Sequence, residues 1–221
     1  MNNLSLTTAE FARLIKVFGW LLGGLCLLLF FVQWHYFYVP VLSALFKALG
    51  WSMTGCIILL GVFTKLAWRC EKLAYLMKRP VVHGIWHGEL KSDFGTVDNA
   101  PLVVPIFFVI RQTYLTLSIQ SFTERQDGES RLEALLKSDK TNDVRLCYIF
   151  ELRKLFSGAS SLTSGAGELK LSGDQAYLSG KYWTNTPTHG DINLKLISRD
   201  CKGVSSYNDV QKKIQKISDK R

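Results

Sequence analysis

The sequence predicts two parts joined end to end: a hairpin of two membrane-length α-helices, then an all-β domain closed as an eight-stranded up-and-down β-barrel. Three observations carry this expectation. No Asp, Glu, Lys or Arg occurs between Val17 and Phe46, or between Ala48 and Thr64. The pattern changes after Pro80 from long apolar runs to short alternating segments punctuated by Gly, Ser, Asp and Asn. Those segments recur at a spacing that suits many short antiparallel strands.

Composition agrees with this division. The 221 residues are 48% hydrophobic, and a mean hydropathy of +0.10 is high for a wholly water-soluble chain. Of the formal charge of +9, residues 1–80 hold +6, which leaves only +3 for residues 81–221. Basicity is thus a membrane-flank feature, and a DNA or RNA duplex partner loses its main support. The five cysteines are odd in number and widely spaced, with no CxxC, so they read as small apolar fillers in a reducing compartment.

A bilayer core needs roughly 20 apolar helical residues. Leu14–Val32 and Gly50–Trp68 each meet that length, with Lys16 and Lys65 close enough to an end to snorkel. The first run is too long for a signal peptide, lacks a small-residue cleavage site and runs into the interfacial aromatics Trp34, Tyr36, Phe37 and Tyr38. Arg13 and Lys16 precede it, while Lys65, Arg69, Lys72, Lys78 and Arg79 lie at or after the second span and only Lys47 lies between. Both termini are therefore expected in the cytoplasm. Gly19, Gly23, Ser52 and Cys56 are the candidate helix-packing positions, within the hairpin or between protomers. Residues 65–79 alternate basic and apolar side chains as an interfacial helix that Pro80 ends, which puts the domain boundary between 80 and 81.

Strands are expected at His83–Asp93, Val103–Arg111, Tyr114–Phe122, Ser130–Ser138, Val144–Leu152, Gly167–Leu171, Ala176–Trp183 and Gly190–Ser198. A barrel or a sandwich fits such a run, and closure best removes the edges within a domain this small. Alternation puts Trp86, Gly88 and Leu90 on the inner face, with Leu132, Ala134 and Leu136; Leu146, Tyr148 and Phe150; Leu178, Gly180 and Tyr182; and Ile192, Leu194 and Leu196. The basic tail from Gln211 to Arg221 reads as a short surface helix.

Enzymatic chemistry finds little support in the residues. His83 and His87 would lie about 13 Å apart on a strand, too far to share one metal ion. The run Ser157–Gly167 lacks the Gly-Lys-Ser/Thr of a phosphate loop and reads as a flexible loop, and no G-x-S-x-G occurs. No carboxylate pair has the apolar setting of a tuned acid and base. No catalytic residue, metal or cofactor is expected.

Three segments carry a resemblance: Gly84-Ile-Trp-His-Gly-Glu-Leu, Leu146-Cys-Tyr-Ile-Phe, and Leu178-Ser-Gly-Lys-Tyr-Trp-Thr followed by Thr188-His-Gly-Asp-Ile-Asn-Leu. With the two spans in front, the chain resembles the bacterial CBASS antiphage effectors that join two transmembrane helices to a cyclic-nucleotide-binding β-barrel, the SMODS-associated, β-strand-rich effectors. Phe150 departs from that pattern, standing where a second tyrosine is expected. The resemblance implies an inner-membrane effector whose cytosolic barrel binds a cyclic dinucleotide or oligonucleotide made by a CD-NTase-type nucleotidyltransferase. Binding would drive homo-oligomerisation, and the clustered hairpins would compromise the bilayer and stop phage maturation.

Chemistry and alternation together nominate ligand contacts. Trp86, Ser118, Tyr148 and Tyr182 are the inner-face aromatics and hydroxyl able to stack on or bond a base, and Arg111, Arg153, Lys181, Asn185 and Thr186 are strand-end donors for phosphate. Two other readings keep the same architecture: a membrane-tethered, lipocalin-like binder of an apolar metabolite or lipid, and a filled barrel that serves protein contacts.

Overall fold

The computed structural model describes residues 5–66, 77, 79–94, 101–138, 140–141, 143–154, 163–172, 175–186 and 188–218. Two compact units result, Leu6–Pro80 and Val81–Arg221, with Ser5 belonging to the second.

The first unit is a pair of helices long and apolar enough to cross a membrane, α1 (Thr8–Tyr36) and α2 (Val41–Lys65). Thr7 starts α1 through a capping box: its hydroxyl accepts from the Glu10 amide at 3.3 Å, and the Glu10 carboxylate accepts from the Thr7 amide at 3.0 Å. Glu10 also pairs with buried Arg79 at 2.9 Å, and Arg13 donates to the Met77 carbonyl at 2.9 Å. The end of the unit is thereby held to its beginning. Arg79, expected among the cations flanking the second span, is ion-paired. Of the interfacial helix expected over 65–79, residues 67–76 and 78 lie outside the described residues.

Both helices extend past the apolar windows that announced them. The second begins at Val41, nine residues before Gly50, because Pro40 opens a helix as readily as it ends one. Lys47, expected in the connection, is therefore inside α2. The seam between the helices is lined by small residues of α2: Ala44, Ala48 and Ser52 are fully buried, a Cβ on Gly55 would meet Leu25 at 3.3 Å, and the Cys56 thiol reaches the Phe18 carbonyl at 3.7 Å. Phe18 and Phe63 close one end, 5.7 Å apart. Gly19 and Gly23 are elsewhere, with nothing within 4 Å of a Cβ built on them.

The second unit is a closed antiparallel barrel in sequence order, β1 (Gly84–Ser92), β2 (Leu102–Gln112), β3 (Leu117–Phe122), β4 (Gln126–Lys137), β5 (Val144–Lys154), β6 (Thr163–Leu171), β7 (Tyr177–Thr184) and β8 (His189–Ser198), with β8 pairing back to β1. Its inner wall is the main core, including Trp86, Phe108, Ile110, Leu146, Tyr148, Leu169, Leu178 and Ile192. Outside β1 and β2, Ile85, Phe107 and Val109 form a second core with Cys201, Val204 and Val210. Val210 belongs to α3 (Tyr207–Ser218), so the basic tail is an amphipathic helix packed on the barrel wall. Asp209 accepts from the Ser205 amide and hydroxyl ahead of it.

Strand existence matches expectation in all eight cases, but two limits differ for a visible reason. Tyr114 lies in the β2–β3 turn, where the Thr113 hydroxyl accepts the amides of Leu115 and Thr116 and ends the ladder before Leu117. Thr163–Ala166, expected within a flexible loop, is strand: Gly165 and Gly167 give up side chains so that the rings of Phe150 and Tyr148 can lie over them, each within 2.6 Å of where a Cβ would be.

The consequential correction is in β4. Its ladder with β5 shifts between Ser130 and Leu132, leaving Arg131 as an extra residue. One inserted residue reverses every later side chain. Glu133 and Leu135 therefore face inward, 6% and 2% exposed, whereas Leu132 and Leu136, expected in the core, are 54% and 46% exposed. Ser130 makes the shift tolerable, because its hydroxyl takes the place of a strand partner for Ile119, accepting from the amide at 2.8 Å while its proton is directed to Glu133.

Deleting Arg131 should remove the bulge and leave every face as it is, because Ser130 already pairs with Phe150, Leu132 with Ile149 and Glu133 with Tyr148. We expect the deletion variant and Arg131→Ala both to keep the β-rich circular dichroism signal, since the first preserves the pairing and an exposed ion pair with Glu151 contributes little. Loss of the signal on deletion would contradict this assignment.

Candidate functional site

One end of the barrel is sealed by hydrogen bonds. Trp86 is fully buried there, and its indole N–H donates to the Val82 carbonyl at 3.0 Å. Arg199 covers the ring at 5.9 Å while its guanidinium donates to the carbonyls of Val81 and His83 at 3.1 and 2.8 Å. Buried Gln112 closes the remaining gap by accepting the amides of Val82 and His83, and its own amide donates to His83 Nδ1. His83 is thus a structural group, and His87 stacks outside on Phe107 at 4.5 Å. Among the described residues no group of three or more His, Cys, Asp or Glu could hold a metal ion.

From the middle of the barrel toward the other end, the inner wall becomes aromatic. Tyr148 meets Phe108 edge-on at 5.8 Å and Phe150 at 5.7 Å. Tyr182 stands over Gly190, where a Cβ would come within 2.9 Å of the ring. Its phenol bonds Ser92, and burial raises its pKa. Burial likewise, with Tyr182 nearby, pushes the Tyr148 phenol well above its ordinary range. Both tyrosines are therefore neutral donors near pH 7.

The β4 shift adds the group that alternation concealed. Glu133 sits directly across the ladder from Tyr148, bonded by the Ser130 hydroxyl. Burial raises its pKa against the lowering effect of that hydroxyl. A carboxyl and a phenol side by side on an otherwise apolar wall offer an acceptor and a donor at one height, which is what the polar edge of a flat heterocycle requires.

The nominated residues do not all converge. Tyr148 and Tyr182 share the inner wall, and the β7–β8 turn carrying Asn185 and Thr186 follows Tyr182 at the end opposite Trp86. There the Asn185 side-chain oxygen accepts the Ser164 amide at 3.1 Å, and Thr186 bonds the Thr184 hydroxyl at 2.9 Å. Arg153 lies at that same end, exposed on the outer face. Ser118, expected inside, is outside, because Leu117 and Ile119 take the inner positions of β3. Arg111 belongs to the sealed end, where it donates to Gln120 and to the Val204 carbonyl, fastening the segment before α3. Lys181 points outward from the middle of β7 into an open groove of about 370 Å³ beside Arg145, Lys170 and Trp183.

Sequence reasoning missed Glu133, Gln112 and Arg199. For Glu133 the one available signal is a carboxylate inside Leu132–Leu136 that either face assignment must place beside apolar neighbours. The other two sit one residue beyond an expected strand end, where alternation carries least weight.

No family model matches the chain. It is similar to CD-NTase-associated protein 15 of Staphylococcus schleiferi, with 22% identity over 188 residues that span 84% of this chain and 96% of that protein. A match of that length includes part of the hairpin as well as the barrel.

A raised carboxyl pKa in the folded state means that folding retains a proton, so stability falls as pH rises above the ordinary glutamate range. Glu133→Gln removes this penalty. We expect its melting temperature at pH 7 to rise, and the gain to vanish near pH 4. A gain independent of pH would contradict the burial of this group.

Proposed function

We propose that this chain is a non-catalytic antiphage effector of the bacterial inner membrane. Its barrel, on the cytoplasmic side, binds a cyclic dinucleotide made by a CD-NTase-type nucleotidyltransferase, and binding drives assembly of the helical hairpins until the bilayer leaks. The observation that carries this reading is the similarity, along most of both chains, to a protein whose name ties it to a CD-NTase.

The geometry supports each step physically. Trp20, Leu27, Trp51 and Ile57 are 61–77% exposed on α1 and α2, and lipid is the solvent in which such surfaces are stable. Basic residues before the first span and after the second favour termini on the cytoplasmic side. Inside the barrel, a base can stack on Tyr148 or Tyr182 for about 1–3 kcal/mol each, and Glu133 can accept from its N–H edge. Arg153 and the Asn185–Thr186 turn are the nominated donors for phosphate at the end opposite Trp86. Trp86, whose only N–H is already used, serves to close the vessel. Gly19 and Gly23, unused within the hairpin, are free for close approach by a second copy.

Dye release from liposomes containing the full chain, with calorimetry on the same samples, separates recognition from damage. Cyclic di-AMP, cyclic di-GMP and cyclic GMP–AMP are the ligands to test. Tyr148→Ala should weaken binding at least tenfold and abolish release. Gly19→Leu with Gly23→Leu should leave binding unchanged and still abolish release. Release by the Tyr148→Ala variant at wild-type ligand concentration would refute recognition at the inner wall, and full release by the glycine variant would remove α1 from assembly.

A further inference from the structure

The outer wall of the barrel has two apolar regions, and among the described residues of the barrel unit only one is covered. On β1–β3 the residues Ile85, Phe107, Val109 and Phe122 lie under Val204, Val210 and their neighbours. On the far wall a transverse row runs through the ladders, Leu132 opposite Ile149, Ile149 opposite Ala166, and Ala166 opposite Trp183. Leu132, Ile149 and Trp183 are 54%, 45% and 52% exposed, and Leu136 adds a further 46% exposed side chain on β4. The row exists because the extra residue at Arg131 turns two leucines outward, at a cost in solubility that a solitary barrel has no reason to bear.

Charge narrows the occupant. The cations bordering the row are matched: Arg131 with Glu151 at 2.7 Å, Arg145 with Glu168 at 2.6 Å, and Lys170 with Asp143 at 2.9 Å. Lys181 lies between Glu168 and Asp191 in the ladder. Such a rim has no excess of positive charge to hold an anionic bilayer or a polyanion. It offers both signs around an apolar centre, the composition of a surface that pairs with its own kind.

Size completes the argument. Four strands about 4.8 Å apart and five residues along β4 give a face of about 20 by 15 Å. That is roughly 300 Å² per partner, well below the approximately 800 Å² typical of a stable complex in solution. Two copies tethered to one bilayer meet at an effective concentration of about the millimolar range, where so small a face suffices. We infer that the β4–β7 outer face, centred on Leu132, Ile149 and Trp183, is a barrel-to-barrel contact between copies of this chain, formed in the membrane before any ligand binds. The inference rests on the membrane tether of the proposed function and is independent of its ligand.

Hydroxyl-radical footprinting of the full chain in liposomes tests it, without nucleotide, at one copy per vesicle and at many. Trp183 should oxidise severalfold more slowly in crowded vesicles than in singly occupied ones. In crowded vesicles Leu132→Asp with Ile149→Asp should restore fast oxidation with unchanged circular dichroism, and Leu136→Lys serves if the double variant misfolds. Protection of Trp183 at one copy per vesicle would mean that the bilayer or the same chain covers it and would overturn the inference. Fast oxidation of the wild type at both densities would overturn it as well. Failure of the chain to float with the vesicles would instead remove the tether, and with it both readings.

Discussion

Closing eight strands into a barrel creates an interior of fixed volume, and every side chain on β4 must be either inside it or out. The extra residue at Arg131 decides that question for half the strand. Everything distinctive about this barrel follows from the decision. Glu133 and Leu135 enter the interior, where one becomes a polar neighbour of Tyr148 and the other fills the core. Leu132 and Leu136 leave it and build an exposed apolar row. A single backbone irregularity thus shapes the inner wall and the outer wall together, which is why bulges are better read as features than as defects.

The rest of the interior is fitted around large rings by omitting atoms opposite them. Gly165, Gly167 and Gly190 lie beneath Phe150, Tyr148 and Tyr182, so aromatic area is concentrated on the β5–β8 side without overfilling the vessel. The sealed end is held differently, by backbone carbonyls and amides that Trp86, Arg199 and Gln112 satisfy. The interior is thus rigid and hydrogen-bonded at one end and aromatic beyond it, so the recognition proposed above would cost little reordering of the wall.

Much of this was legible in the sequence, and the failures have physical causes. Charge-free runs announce the two helices, because nothing else in a chain demands so long an absence of charge. They do not reveal where the helices stop, since helix continues through Lys47 and back to Thr8 once capping and hydrogen bonding permit. Alternation announces the barrel and correctly places Trp86, Tyr148, Tyr182 and Leu194 inside. It fails on β4 because period-2 reasoning assumes an unbroken ladder, and nothing in Ser130-Arg131-Leu132 marks the interruption. It fails on β6 because a glycine-rich strand and a glycine-rich loop look alike until the rings that need the space are in place. For the candidate site, the two tyrosines were accessible from sequence, whereas Glu133 required the register.

Site-directed cysteine labelling along β4 of the full chain gives the most direct test. With a membrane-impermeant maleimide, measured above the background of the native thiols, cysteines at 132 and 136 should react quickly and those at 133 and 135 slowly. The opposite pattern, with 132, 134 and 136 protected and 133 and 135 reactive, would mean an unbroken strand. It would take Glu133 from the chamber and the leucines from the surface at one stroke.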